Sequence, residues 1–113
     1  MKRLFILAVF LLGLSGLVYG AQSSGYRNIV DMGCHNSDGT CYILVDGSPV
    51  TGAAGCSSNS LRWDARSDPN GRSTLALLMM AKSQGLRVSA YVSSCYALQP
   101  IYPQIQYINI EFN

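Results

Sequence analysis

The chain has 113 residues, of which 49% are hydrophobic and only 12% charged, and its formal charge is +2. That length allows a single domain. Two of its eight basic residues are Lys2 and Arg3, so the rest of the chain carries six basic and six acidic side chains. A balanced surface of that kind argues against nucleic acid as a partner, because phosphate backbones are met by a dense basic stripe.

The N-terminus reads as an export signal. Lys2 and Arg3 are followed by an almost unbroken apolar run from Leu4 to Leu14, then Ser15, Gly16 and the compact end Val18-Tyr19-Gly20. A charged start, an apolar centre and small residues at the end define a cleaved signal peptide over residues 1–20, with Ala21 as the first mature residue. The competing reading is a membrane anchor, but a spanning helix needs about 20 apolar residues. Leu4 to Val18 is shorter and holds Gly13 and Gly16. No membrane span is expected after cleavage, and the mature domain is placed in the periplasm or outside the cell.

Residues 21–25, Ala-Gln-Ser-Ser-Gly, read as a flexible leader, and residues 26–113 as one domain. Tyr26 to Met32 is the first expected strand. Asn36-Ser37-Asp38-Gly39 is a turn signal, since Asp-Gly favours the positive φ angles of a hairpin. Thr40 to Asp46 follows as a strand, Cys41, Ile43 and Val45 alternating with Tyr42, Leu44 and Asp46. Thr51 to Ser60 is small and polar and reads as loop. Leu61 to Ala65 is a short strand centred on Trp63, expected to lie in the core. Ser73 to Gln84 is the helix: Thr74, Leu77, Leu78 and Ala81 recur at helical spacing, with Leu75 widening the stripe. Gly85 supplies the stop, and Lys82 complements the dipole of the last turn. Val88, Ala90 and Val92 form the inner side of the next strand. Pro100 and Pro103 exclude a central strand between them, and Gln104 to Phe112 is the closing strand.

All four cysteines lie in the mature region. An even number in an exported chain implies two disulfides, with three connectivities open. Zinc is disfavoured because there is no C-x-x-C pair and His35 stands alone. The hairpin favours Cys34–Cys41, whose Cα atoms face each other across the turn. That leaves Cys56–Cys95, tying the segment before Trp63 to the end of the Val88–Val92 strand.

The expected fold is therefore mainly β with one helix. Five strands with the helix between the third and fourth match a small OB-like Greek-key barrel; an α+β sandwich is the alternative. No catalytic residues, metal site or cofactor are expected. There is no G-x-S-x-G elbow. Asp64 and Asp68 read as turn-makers rather than an acid pair, and Cys34 beside His35 has a disulfide partner in Cys41. The candidate ligand-binding residues are Tyr91, Tyr96 and Tyr102, near Cys95, because tyrosine offers an apolar ring and a hydroxyl at low entropic cost.

The stretch from Cys56 to Ile110 carries a resemblance. It comprises Cys56, the aromatic strand Leu61-Arg62-Trp63-Asp64, the helix entry Pro69-Asn70-Gly71-Arg72 and the helix residues Leu77, Leu78, Ala81 and Gly85. Val88 and Val92, Cys95 and the strand Tyr107-Ile108-Asn109-Ile110 complete it. This pattern is similar to a group of small exported bacterial proteins. More distantly it resembles the receptor-binding B subunits of subtilase cytotoxin and typhoid toxin. The resemblance covers about half the chain and implies an OB fold, pentameric assembly and the binding of sialylated glycans. It transfers no sugar-contacting residue, because the first hairpin differs in length and carries an extra cysteine pair.

The expected function is thus an exported, non-enzymatic binding module, toxin-B-subunit-like, for a glycan or an envelope protein and with a homo-oligomer as one expected state. The alternatives are a monomeric periplasmic inhibitor or envelope protein and, with less support from the residues, a small hydrolase.

Overall fold

The computed structural model describes residues 22–52 and 55–112. The expected signal peptide, residues 1–20, lies outside them. In chain order the elements are β1 Gln22–Arg27, β2 Ile29–Cys34, β3 Thr40–Val45, β4 Val50–Thr51, β5 Ser57–Ser58, β6 Ser60–Asp64, the helix α1 Gly71–Gln84, β7 Val88–Cys95 and β8 Pro103–Ile110. The protein is mainly β with one helix among the described residues, as the residue pattern indicates.

The strand count differs from expectation. Among the described residues eight strands are present instead of five, six of them in one sheet of order β1-β7-β8-β6-β3-β2 and two in a separate β4-β5 ribbon. No ladder joins β1 to β2, so the closed five-stranded barrel is not formed by hydrogen bonding. Part of the excess arises at Asn28, which splits the expected first strand into β1 and β2. The rest lies in the segment read as loop, where Val50–Thr51 pairs with Ser57–Ser58.

The break at Asn28 is built, not frayed. Asp46 receives the Asn28 backbone N–H on Oδ1 and the Asn28 side-chain amide on Oδ2, both at 2.9 Å. The Arg27 guanidinium donates to the carbonyls of Asp46 and Ser48 at 2.6 and 2.7 Å. The Asn28 side-chain amide, followed by its backbone N–H, holds the Asp46 carboxyl below the ordinary value of 3.8.

The leader reading is also corrected. Gln22–Gly25 belong to β1, which pairs with β7. Small polar residues look like linker in sequence, but here their hydroxyls stitch the strand down. The buried Ser24 Oγ accepts the Ala90 backbone N–H at 2.8 Å, and the Ser23 and Ser89 hydroxyls bond each other at 2.8 Å.

The core gathers Ile43, Leu61 and Trp63 from β3 and β6, Val88, Ala90 and Val92 from β7, and Leu78 and Ala81 from α1. The closing strand changes face midway. Tyr91 pairs with Tyr107 but Val92 pairs with Ile105, so Gln106 is an extra residue on β8. That bulge resets the alternation, so Ile105 is buried and Ile108 and Ile110 also pack against the core.

At the start of α1, Trp63 Nε1 donates to the Gly71 carbonyl at 2.9 Å. Gly71 is itself a packing requirement: a Cβ there would lie 2.1 Å from the Asp64 carbonyl oxygen. At the far end Gly85 has φ 67°, the left-handed conformation that ends helices. Leu77, expected on the buried stripe, is instead 45% exposed. The buried helical positions are Gly71, Leu78 and Ala81, a narrower stripe than the periodicity implies.

Candidate functional site

The connection between β7 and β8 runs over residues 96–102 and brings a tyrosine onto the outer face of β6. It is anchored from below. Cys95 is bonded to Cys56, and the Tyr96 hydroxyl meets the Thr40 hydroxyl at 2.7 Å in the interior. Backbone bonds from Tyr96 N–H to the Tyr102 carbonyl and from Tyr102 N–H to the Gln99 carbonyl close the loop on itself. Tyr96 is 3% exposed, so its expected role as a ligand contact is corrected. Its one polar atom is satisfied inside, and it positions the loop instead.

Tyr102 stands at the surface, and its ring receives Arg62. The guanidinium carbon of Arg62 lies 3.7 Å from the Tyr102 ring centre and 5.3 Å from that of Tyr42. Inward-facing Leu61 and Trp63 flank Arg62 on β6, so alternation turns it outward. Tyr42 is its direct cross-strand partner on β3. On β2, Tyr42 faces Gly33, where a Cβ would come within 2.8 Å of the Tyr42 hydroxyl. The missing side chain is what lets the ring lie across that strand.

Polar groups complete the cluster. Arg62 Nη1 donates to Gln99 Oε1, and Arg62 Nε reaches the Ser60 hydroxyl at 3.4 Å. The His35 ring is 5.9 Å from Tyr42, tilted by 54°, and His35 Nδ1 is 3.8 Å from Asp38. The Thr40 backbone N–H is the main cause that lowers the Asp38 carboxyl below 3.8. Among the described residues no carboxylate forms an ion pair with Arg62. The result is a half-buried cation, stacked on aromatic rings and fixed by an amide and a hydroxyl, with its charge uncompensated. Cation–π contact with tyrosine contributes about 0.5–2 kcal/mol to holding it there.

The candidate tyrosines therefore do not form one site. Tyr102 belongs to the Arg62 cluster. Tyr91 lies on β7 and stacks on Tyr107 of β8, with ring centres 4.7 Å apart and planes 18° apart. Arg62, Tyr42 and Gln99 were not singled out by sequence. The alternation of β3 and β6 does turn Tyr42 and Arg62 outward, but their pairing depends on register.

The structure joins Cys34 to Cys41 and Cys56 to Cys95, the pairing expected from the hairpin. Among the described residues, no three His, Cys, Asp or Glu side chains come together as a metal site, and no helix is long and apolar enough to cross a membrane. No protein-family model matches the chain, and no curated protein is significantly similar to it in sequence.

Proposed function

We propose that this protein is an exported, non-enzymatic binding module with an OB-like architecture, and that its Arg62 face takes an acidic glycan. The topology supports the architecture. If β1 and β2 are counted as one strand bent at Asn28, the main sheet reduces to five strands in the neighbour order of an OB fold, with α1 between the third and the fourth. The β6–β8 pair is then the one parallel contact between the third strand and the fifth. Ligands of OB folds lie on the face of the second and third strands and on the loops beside it. Here that face carries Tyr42 and Arg62, flanked by the His35 turn and the Gln99–Tyr102 loop.

The observation that carries the reading is the uncompensated guanidinium, whose carbon lies 3.7 Å from the Tyr102 ring centre. Planar arginine nitrogens match a carboxylate or sulfate in two-point contact, and the half-buried Tyr42 and Tyr102 add an apolar ring and a hydroxyl beside it. The resemblance to glycan-binding toxin B subunits points the same way, and ring assembly as in those proteins is part of the proposal. The two disulfides suit an oxidising compartment.

A glycan array probed with the periplasmically expressed protein, beside a mass measurement in solution, tests this. Acidic glycans should be retained and their neutral counterparts not. Arg62→Ala should weaken retention about tenfold or more, and Arg62→Lys should restore it only in part. Equal retention of neutral and acidic glycans, or no effect of Arg62→Ala, overturns the assignment.

A further inference from the structure

We propose that the free edge of β2, together with the groove between it and α1, docks an extended peptide segment of a partner protein, which adds to β2 as a further strand and offers a carboxylate to Lys82. This site lies apart from the Arg62 face and does not depend on the function proposed for it.

Three observations converge on it. The first is the edge itself. β2 is the last strand of the six-stranded order, bonded on one side only. Cys34 and Cys41 are directly paired with Cα atoms 4.0 Å apart, as in the close, non-hydrogen-bonded positions of an antiparallel ladder. His35 N–H, one residue on, bonds the Thr40 carbonyl. By alternation, the backbone groups of Met32 and Cys34 point away from β3. The Met32 N–H confirms the direction: its acceptor is Oδ1 of the adjacent Asp31, at 2.9 Å. An incoming strand's carbonyl would replace that exposed carboxylate.

The second observation is the groove beside this edge, about 430 Å³ in volume and walled by Met32, Gly33, Cys34, Leu75 and Met79. Met79 is 55% exposed. Methionine side chains adapt to apolar partners of varied shape. Strand addition combines such a pocket with main-chain hydrogen bonds, the pocket reading alternate side chains. The third is Lys82, which lines the same groove and has no carboxylate partner among the described residues. Its charge calls for an acidic side chain or a C-terminal carboxylate.

Other occupants fit less well. A fatty acid would satisfy Lys82 but leave the Met32 and Cys34 backbone groups unused. A second copy pairing β2 with β2 would bring two bulges together, since the register of β2 shifts between Ile29 and Asp31. Bulges oppose edge-to-edge pairing.

The probe is a hexapeptide alternating threonine and leucine, labelled with fluorescein at its N-terminus and ending in a free carboxylate. Fluorescence anisotropy should show saturable binding to the whole mature domain, and hydrogen exchange should slow at the Met32 and Cys34 amides. Amidating the C-terminus should weaken binding about two- to fivefold, the range of an exposed ion pair, and Lys82→Ala should abolish that difference. Met79→Asp should weaken binding about tenfold or more by placing a charge against the apolar side chain; its exposure keeps the fold intact, which a melting curve verifies. Arg62→Ala should change nothing here. The proposal is overturned by absence of saturable binding, by equal affinity for a peptide with proline at its centre, or by displacement of the peptide by sodium dodecanoate without slowed exchange in β2. Concentration-dependent self-association that Met79→Asp abolishes, with no peptide binding, would assign the groove to a second copy and overturn it equally.

Discussion

Arg62 and Trp63 are neighbours on one strand, and they are held by opposite kinds of force. Trp63 is 2% exposed and tied by its indole N–H to the first residue of the helix. Beside it Gly71 approaches the end of β6 so closely that no side chain is admitted. Arg62, one residue earlier, is half-buried and held by two rings, an amide and a hydroxyl, each of which water can replace. The inner side of β6 thus specifies the fold. The outer side presents chemistry that can change without unfolding it.

Perturbations of the two sides should separate accordingly. The largest effect is expected from replacing Cys56 and Cys95 together by serine. Closing a loop with a sequence separation of 39 contributes about 4 kcal/mol, against about 2.5 for the separation of 7 between Cys34 and Cys41. A domain of this size has about 5–10 kcal/mol in all. Denaturant titration should find the first double variant largely unfolded and the second merely shifted. Next comes Gly71→Ala, which must push the helix off β6 and should cost about 3 kcal/mol in the same titration. Trp63→Phe keeps most of the ring but leaves the Gly71 carbonyl without its donor, at about 1–2 kcal/mol.

On the outer side, Arg62→Ala should cost about 0.5–2 kcal/mol of stability while weakening the proposed glycan retention about tenfold or more; a larger loss of stability would erase the contrast between the two sides. The smallest expected effect concerns pH. Asp38, Asp46 and Asp64 all have carboxyls lowered from 3.8, chiefly by the backbone N–H of Thr40, the Asn28 side-chain amide and the backbone N–H of Ser67, respectively. A lowered folded-state value stabilises the fold above the ordinary value and loses that contribution as pH falls through the lowered one. The melting temperature should therefore be flat above the ordinary value and decline below it, less steeply in Asp46→Asn.

The elements with strong periodicity were legible in the residues: α1, the inner faces of β3 and β7, the buried Trp63 and the pairing of the cysteines. What escaped has physical causes. Residues 22–25 look like linker because serine and glycine carry no apolar signal, yet Ser24 is a buried strand residue through its hydroxyl. The shift of face in β8 comes from one unpaired residue, Gln106, which alternation alone does not reveal. The Arg62 cluster joins residues 20 and 40 positions apart, brought together by strand register and by a loop whose anchor, Tyr96, reads in sequence like any surface tyrosine.

The two covalent cross-links have an order as well as a place. Each joins a cysteine to the next cysteine along the chain. A polypeptide threaded N-terminus first into an oxidising compartment exposes Cys34 and then Cys41 before Cys56 emerges, and each thiol therefore meets its native partner before any competitor beyond the preceding closed pair. On the export proposed above, maturation in that order requires no reshuffling, so the yield of correctly bonded protein should be indifferent to the supply of a disulfide isomerase and sensitive only to the supply of oxidant.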